Sequence, residues 1–109
     1  VYIIVLCFIL FDILTGILKA LKNEGLNSSM LREGLFHKLG EILAVVGSGL
    51  LEYAMAYIDV GVDVPILDTV CAYICVMEFV SVIENISQMN PELAKFFKPY
   101  LEKLKDKEE

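Results

Sequence analysis

The start of the chain decides the fold, where residues 1–21 read VYIIVLCFILFDILTGILKAL. Asp12 is the one charged side chain in this block before Lys19. An α-helix rises about 1.5 Å per residue and the hydrocarbon core of a bilayer is about 30 Å thick, so about 20 apolar residues cross it. The block therefore predicts a transmembrane helix. It is too long for the apolar part of a signal peptide, and an extension or a further helix before Val1 is left open.

Two more apolar blocks follow, and the segments between them are polar. Residues 39–58 and 64–87 predict the second and third transmembrane helices. Residues 22–38 predict a cytoplasmic loop with a short amphipathic helix over 30–37, and residues 59–63 predict an external turn. Residues 88–109 predict a polar helical tail that starts with a cap at Asn90 and a proline at Pro91, and that Pro99 kinks or divides. The expected fold is an all-α membrane protein with three spans.

The second block leaves a soluble acidic helical bundle open as an alternative. Each branched aliphatic side chain favours insertion by roughly 0.3–0.6 kcal/mol, whereas an acid near the centre of a span costs ~2.5–3.5 kcal/mol. Glu52 alone nearly cancels the aliphatic contribution of its block, so that helix is marginal in lipid. The first block inserts comfortably, and it carries the membrane prediction.

Composition excludes several functional classes. The 109 residues are 57% hydrophobic, and 15 acids against 9 bases give a net charge of −6, whereas a nucleic-acid binder needs a basic face. Three cysteines do not make a disulfide framework. Cys71 and Cys75 lie one helical turn apart without a nearby histidine, which favours packing over a zinc site. We expect no enzyme activity, no cofactor and no metal.

The positions of the basic residues predict the orientation, because lysine and arginine stay on the cytoplasmic side. The segment between the first two blocks and the tail are basic, whereas the turn at 59–63 has no base. The first segment and the tail are therefore expected inside the cell, with the C-terminus cytoplasmic. The bases that carry this assignment are Lys19, Lys22, Arg32, Lys38, Lys95, Lys98, Lys103, Lys105 and Lys107.

Polar residues within the blocks fall on one side of each predicted helix, at spacings of three, four or seven. They form a candidate polar stripe for pore lining or assembly: Asp12, Glu52, Asp68, Glu78, Ser81, Glu84 and Asn85. Small residues that allow close helix contacts are Gly16, Gly40, Gly47 and Gly49. Two interpretations stay open. The stripes bond to one another inside one three-helix bundle, or they are wetted in an oligomer and line a path for solutes.

Four short runs of sequence resemble the phage lysis and toxin-secretion holins of Gram-positive bacteria. They are FDILTGILKA (11–20), LNSS (26–29), GLFHK (34–38) and EFVSVIEN (78–85). The last run is similar to that family's glutamate, serine and glutamate-asparagine signature in the final span. His37 stands where the family usually has arginine, and a Gly/Pro-rich segment of the family is absent after the last span.

The resemblance implies a multi-pass protein of the bacterial cytoplasmic membrane that homo-oligomerises into lesions. Such lesions release an endolysin or a large toxin, without any necessary direct contact with it, and membrane lipids are the other partner. The polar core of that assembly would then include Asp12, Glu52, Glu78 and Glu84. The alternative function is a non-conducting structural or accessory subunit of a membrane complex.

Overall fold

The computed structural model describes residues 1–23, 28–61 and 63–108, and within these ranges it contains four α-helices and no strand. The helices are α1 (Tyr2–Asn23), α2 (Ser28–Met55), α3 (Ile66–Met89) and α4 (Pro91–Glu108). The first three are long and apolar enough to cross a membrane, so the predicted all-α fold with three spans is confirmed. Helix α3 lies at the centre of the molecule, since it packs against each of the other three.

Polar contacts at the two ends of α3 show in which direction α1 and α2 run relative to it. At the end of α3, Lys22 Nζ of α1 donates to the carbonyl oxygens of Gln88 and Met89 at 3.4 and 3.2 Å. At the start of α3, the amide of Leu67 donates to Glu52 Oε1 of α2 at 3.1 Å. Both contacts satisfy backbone groups that a helix end leaves unpaired. Helices α1 and α3 therefore run in the same direction, and α2 runs in the opposite direction.

The apolar core is small and lies between α1, α2 and α3. Its main cluster consists of Val5, Ile9, Val45, Cys71 and Ile74, and Val80, Val82 and Ile83 of α3 are buried further along the same helix. Cys75 packs against this core, so both cysteines of α3 lie where their role is packing. Most other aliphatic and aromatic side chains of the spans are exposed on the outside of the bundle. An apolar outer surface suits lipid, which does not drive helices together by the hydrophobic effect.

The second span differs in its boundaries from the sequence prediction. The segments predicted as an amphipathic helix (30–37) and a span (39–58) form one continuous helix, because no proline interrupts residues 28–55. The helix ends at Met55, where the amides of Tyr57 and Ile58 both donate to the carbonyl oxygen of Ala54. Residues 24–27 of the predicted cytoplasmic loop, and Val62 of the predicted external turn, lie outside the described residues.

The turn between α2 and α3 and the start of the tail have local causes that can be read from the sequence. The turn passes through Gly61 with φ of 75°, a left-handed conformation that favours glycine. Asn90 Oδ1 accepts from the amides of Glu92 and Leu93 at 3.2 and 3.4 Å, which confirms the predicted cap. The tail is predicted to be kinked or divided at Pro99, and the prediction that it is divided is wrong, because α4 continues through Pro99. Proline removes one helical hydrogen bond, and Pro99 is exposed.

Candidate functional site

A cluster of polar and charged side chains lies halfway along the bundle, where α1, α2 and α3 meet. We call it the Lys38 cluster, and its members are Asp12, Thr15, Lys38, Glu41, Glu78 and Asn85. Asp12, Thr15, Glu78 and Asn85 are 7%, 3%, 2% and 6% exposed. The interior of this three-helix bundle therefore contains full charges rather than an uninterrupted apolar core.

The Lys38 ammonium joins all three spans. Lys38 Nζ donates to Glu78 Oε1 at 2.7 Å and to Glu78 Oε2 at 2.5 Å, and it also donates to Asp12 Oδ2. The Lys38 side chain is 13% exposed, so water screens these contacts little. Because α1 supplies Asp12, α2 supplies Lys38 and α3 supplies Glu78, this group of bonds fixes the register of the three helices.

Asn85 and Thr15 complete the hydrogen bonding of Asp12. Asn85 Nδ2 donates to Asp12 Oδ1 and to Thr15 Oγ1, both at 3.1 Å. The Thr15 hydroxyl in turn donates to the carbonyl oxygen of Asp12 at 3.1 Å. Both carboxylate oxygens of Asp12 thus have a donor, as a carboxylate buried away from water requires.

Glu41 gives the cluster more acid than base. Its Oε1 lies 3.8 Å from Lys38 Nζ and 3.6 Å from His37 Nδ1, and this buried oxygen accepts no hydrogen bond. The cluster therefore gathers the side chains of three acids, Asp12, Glu41 and Glu78, around one ammonium group. It has unused capacity to accept hydrogen bonds from another donor.

The helical rise places the cluster at mid-depth of the spans. Asp12 lies ten residues before Lys22, and Glu78 lies ten residues before Gln88. Each is therefore about 15 Å, measured along its helix, from the end of the bundle where Lys22 bonds to α3. That distance is half of the ~30 Å hydrocarbon thickness. Charged groups at such a depth are rare and face the interior of a bundle or a water-filled cavity.

The structure brings together some residues of the predicted polar stripe and separates others. Asp12, Glu78 and Asn85 belong to the Lys38 cluster, whereas Glu52 lies nearer the other end and bonds to Leu67. Asp68 is exposed and Ser81 is half-buried. Glu84 is 45% exposed and pairs with Lys105 of α4 at 2.8 Å, a surface contact of little energetic weight.

The four predicted contact glycines also divide into two groups. A Cβ at Gly16 would lie 3.7 Å from Asn85 Nδ2, and a Cβ at Gly49 would overlap the Tyr2 hydroxyl. Both residues therefore lie where another helix comes close. Gly40 and Gly47 have no atom within 4 Å of such a Cβ, so within one chain they face open space.

Lys38 is absent from the predicted polar stripe, as are Thr15 and Glu41, because the sequence interpretation places Lys38 in the cytoplasmic loop. The structure places it inside α2, where it neutralises acids of two other helices. The sequence indicates such a role only through the need of buried acids for a basic partner. Asp12 and Glu78 lie in spans without a basic partner, and Lys38 is the base nearest to the start of the second apolar block.

The groups of the cluster are suited to association between helices. In the described ranges, no group of three or more His, Cys, Asp or Glu side chains is placed to hold a metal ion. The cluster itself contains carboxylates, an ammonium, an amide and a hydroxyl that already bond to one another. It can hold helices together in lipid and can exchange partners with other polar groups.

Removing the Lys38 charge is expected to destabilise the bundle strongly. Lys38→Met keeps an unbranched side chain that is one atom shorter but leaves Asp12 and Glu78 without their ammonium, and breaking a buried pair in this way costs about 3–5 kcal/mol. Unfolding of the purified protein in detergent, followed by circular dichroism, measures the loss. The double variant Lys38→Met/Glu78→Gln should recover part of it.

The control Lys103→Met, at an exposed position of α4, should change stability by about 0.5 kcal/mol or less. Equal effects of the two methionine variants would contradict this assignment.

Comparison with known proteins agrees with this architecture. The model of the bacteriophage holin family matches residues 1–106. No curated protein sequence and no solved structure matches the chain at a significant level. The match covers all three spans and nearly all of α4, including every member of the Lys38 cluster. The chain is a multi-pass membrane protein that belongs to the bacteriophage holin family.

Proposed function

We propose that this chain is a holin that assembles with copies of itself in the bacterial cytoplasmic membrane and forms lesions that release an endolysin or a large toxin. The observation that carries the proposal is the Lys38 cluster. It places charged groups at mid-depth of the spans, and it holds α2, which has few other buried contacts with the bundle. Family membership supports the same function. The roles of the individual residues are assembly and pore lining, and no catalytic role is assigned.

The weak attachment of α2 favours an exchange of partners between copies. Among the residues of α2 whose side chains the structure describes, only Val45 and Ser48 are fully buried. The contacts that hold α2 to α3 are therefore largely polar, through Lys38 and Glu52. Polar helix contacts in a membrane contribute only about 0.6–2 kcal/mol each, since alternative partners are available there. A neighbouring copy presents the same acids and the same lysine, so it offers equivalent contacts.

The outer face of α2 is the surface on which we place the contact between copies. Gly40, Ala44 and Gly47 lie at spacings of four and three, so they share one side of the helix, and all three are exposed. Small residues at such spacings let two helices approach closely in lipid.

The distribution of basic residues supports a cytoplasmic C-terminus, and exposed tyrosines mark the opposite end of the spans. Lys19 and Lys22 lie at the end of the bundle where α3 leads into α4, and α4 adds further lysines. At the opposite end, Tyr53 and Tyr57 form an exposed ring pair with centroids 5.3 Å apart. Lysine favours the cytoplasmic side, and tyrosine is enriched at membrane surfaces.

Induced expression tests the proposed function directly. In bacteria that also carry a cytoplasmic reporter enzyme, expression of the chain should halt growth abruptly and release the reporter, because the lesion must pass a folded protein. Reporter activity in the medium and the membrane potential are measured over time. Cells that keep both the potential and the enzyme would contradict the proposal and would favour the accessory-subunit alternative.

A bulky residue on the outer face of α2 is expected to block assembly without unfolding the protomer. A Cβ added at Gly47 meets no atom within 4 Å inside the chain, but forcing the isoleucine of Gly47→Ile into a packed contact between copies costs about 1–3 kcal/mol. Cross-linking in membranes should show fewer oligomers, and reporter release should be delayed or lost.

The matched control for that variant is Gly34→Ile, also at an open position of α2. Gly34 lies near the start of the helix and on another side from Gly40 and Gly47. It should cross-link and release the reporter like the unchanged chain. If Gly47→Ile and Gly34→Ile behaved alike, the outer face of α2 would not be the contact surface.

A further inference from the structure

Helix α4 folds back beside the end of α3 instead of leading away from it. Pro91 begins α4 two residues after α3 ends at Met89. Lys105, near the far end of α4, lies 2.8 Å from Glu84 Oε1. Glu84 comes five residues before the end of α3, which places it about 7.5 Å inside that end. The far end of α4 therefore lies beside the last turns of α3, close to the end of that span.

Three faces of α4 have different surroundings. The face toward α3 is half-buried and contains Ala94, Phe97, Leu101 and Leu104. The polar face is exposed and contains Glu92, Lys95 and Glu102. Between them runs an aromatic face formed by Leu93, Phe96 and Tyr100, which are 39%, 63% and 55% exposed. These three residues are spaced by three and four, so they share one side of the helix.

The aromatic face has the composition of a membrane-surface anchor. The Phe96 ring centroid lies 5.2 Å from that of Phe97 and 6.0 Å from that of Tyr100, so the three rings form one apolar patch. Lys103 is exposed and lies three residues after Tyr100. Aromatic rings with polar tips favour the interface, and a lysine stem extends along apolar surface while its ammonium reaches phosphate groups.

We propose that α4 lies in the bilayer interface, with Leu93, Phe96 and Tyr100 inserted among the lipids on the side where α1 and α3 end. The aromatic face contacts phospholipid at the membrane surface, and this lipid is continuous with the lipid around the three spans. The polar face then points to water, and Glu84 and Lys105 pair at the boundary. The placement belongs to the single protomer, so it does not depend on lesion formation.

Tryptophan fluorescence tests the placement, because the chain contains no tryptophan. The full chain carrying Phe96→Trp is reconstituted in phosphatidylcholine–phosphatidylglycerol vesicles, with lipids brominated at shallow or deep acyl positions. Its emission should be blue-shifted, quenched most by shallow bromine and little by aqueous iodide. The matched variant Glu102→Trp, on the polar face, should show red-shifted emission with the opposite quenching pattern. Circular dichroism checks that both variants keep the helical content.

Three results would overturn the proposal. Iodide quenching of Phe96→Trp as strong as that of Glu102→Trp would place the aromatic face in water. Protection of Phe96→Trp from both bromine and iodide would show that protein covers the face, either a second copy or another chain. Equal bromine quenching of the two variants would mean that α4 has no preferred face toward lipid. None of these results bears on reporter release, so the inference can fail without the proposed function failing.

Discussion

An ammonium group in the interior of a membrane bundle has to be neutralised where it lies, because transfer of a charge from water to hydrocarbon costs several kcal/mol. Lys38 meets this requirement with carboxylates from two other helices. If the sequence of any of the three helices were shifted by one residue, its charged side chain would move about 1.5 Å along the helix axis and would rotate away from its partners. The apolar core here is small and lipid gives no hydrophobic drive between helices. The polar contacts therefore determine how the spans are arranged.

The same arrangement leaves α2 less firmly held than its neighbours. Its apolar surface is mostly exposed, and its attachment depends on Lys38 at mid-depth and on Glu52 near the end of the helix. A helix held by a few polar contacts can leave its own bundle at little cost when another copy offers the same groups. The excess acid contributed by Glu41 adds to this capacity. A stable single chain and an assembly of many chains can thus use one set of residues.

Sequence reasoning predicted the parts of this structure that follow from local pattern and failed where contacts between distant residues decide. The three spans follow from the lengths of apolar blocks, and the cap at Asn90 follows from residue order. The place of Lys38 inside the bundle did not follow, because its partners are acids in two other helices. The predicted stripe likewise grouped Glu52 and Glu84 with Glu78. Periodicity gives the side of a helix on which a residue lies, but the depth and the partner come from packing.

The pairing of Lys38 inside one protomer is the central claim, and solid-state NMR in bilayers tests it most directly. Chains with ¹⁵N at lysine Nζ and ¹³C at aspartate carboxyl carbons are diluted into an excess of unlabelled chain, so that only contacts within a chain are detected. A dipolar coupling at hydrogen-bond distance is expected, and it should disappear in Asp12→Asn. If no coupling is lost in that variant, Lys38 is not neutralised by Asp12 of its own bundle.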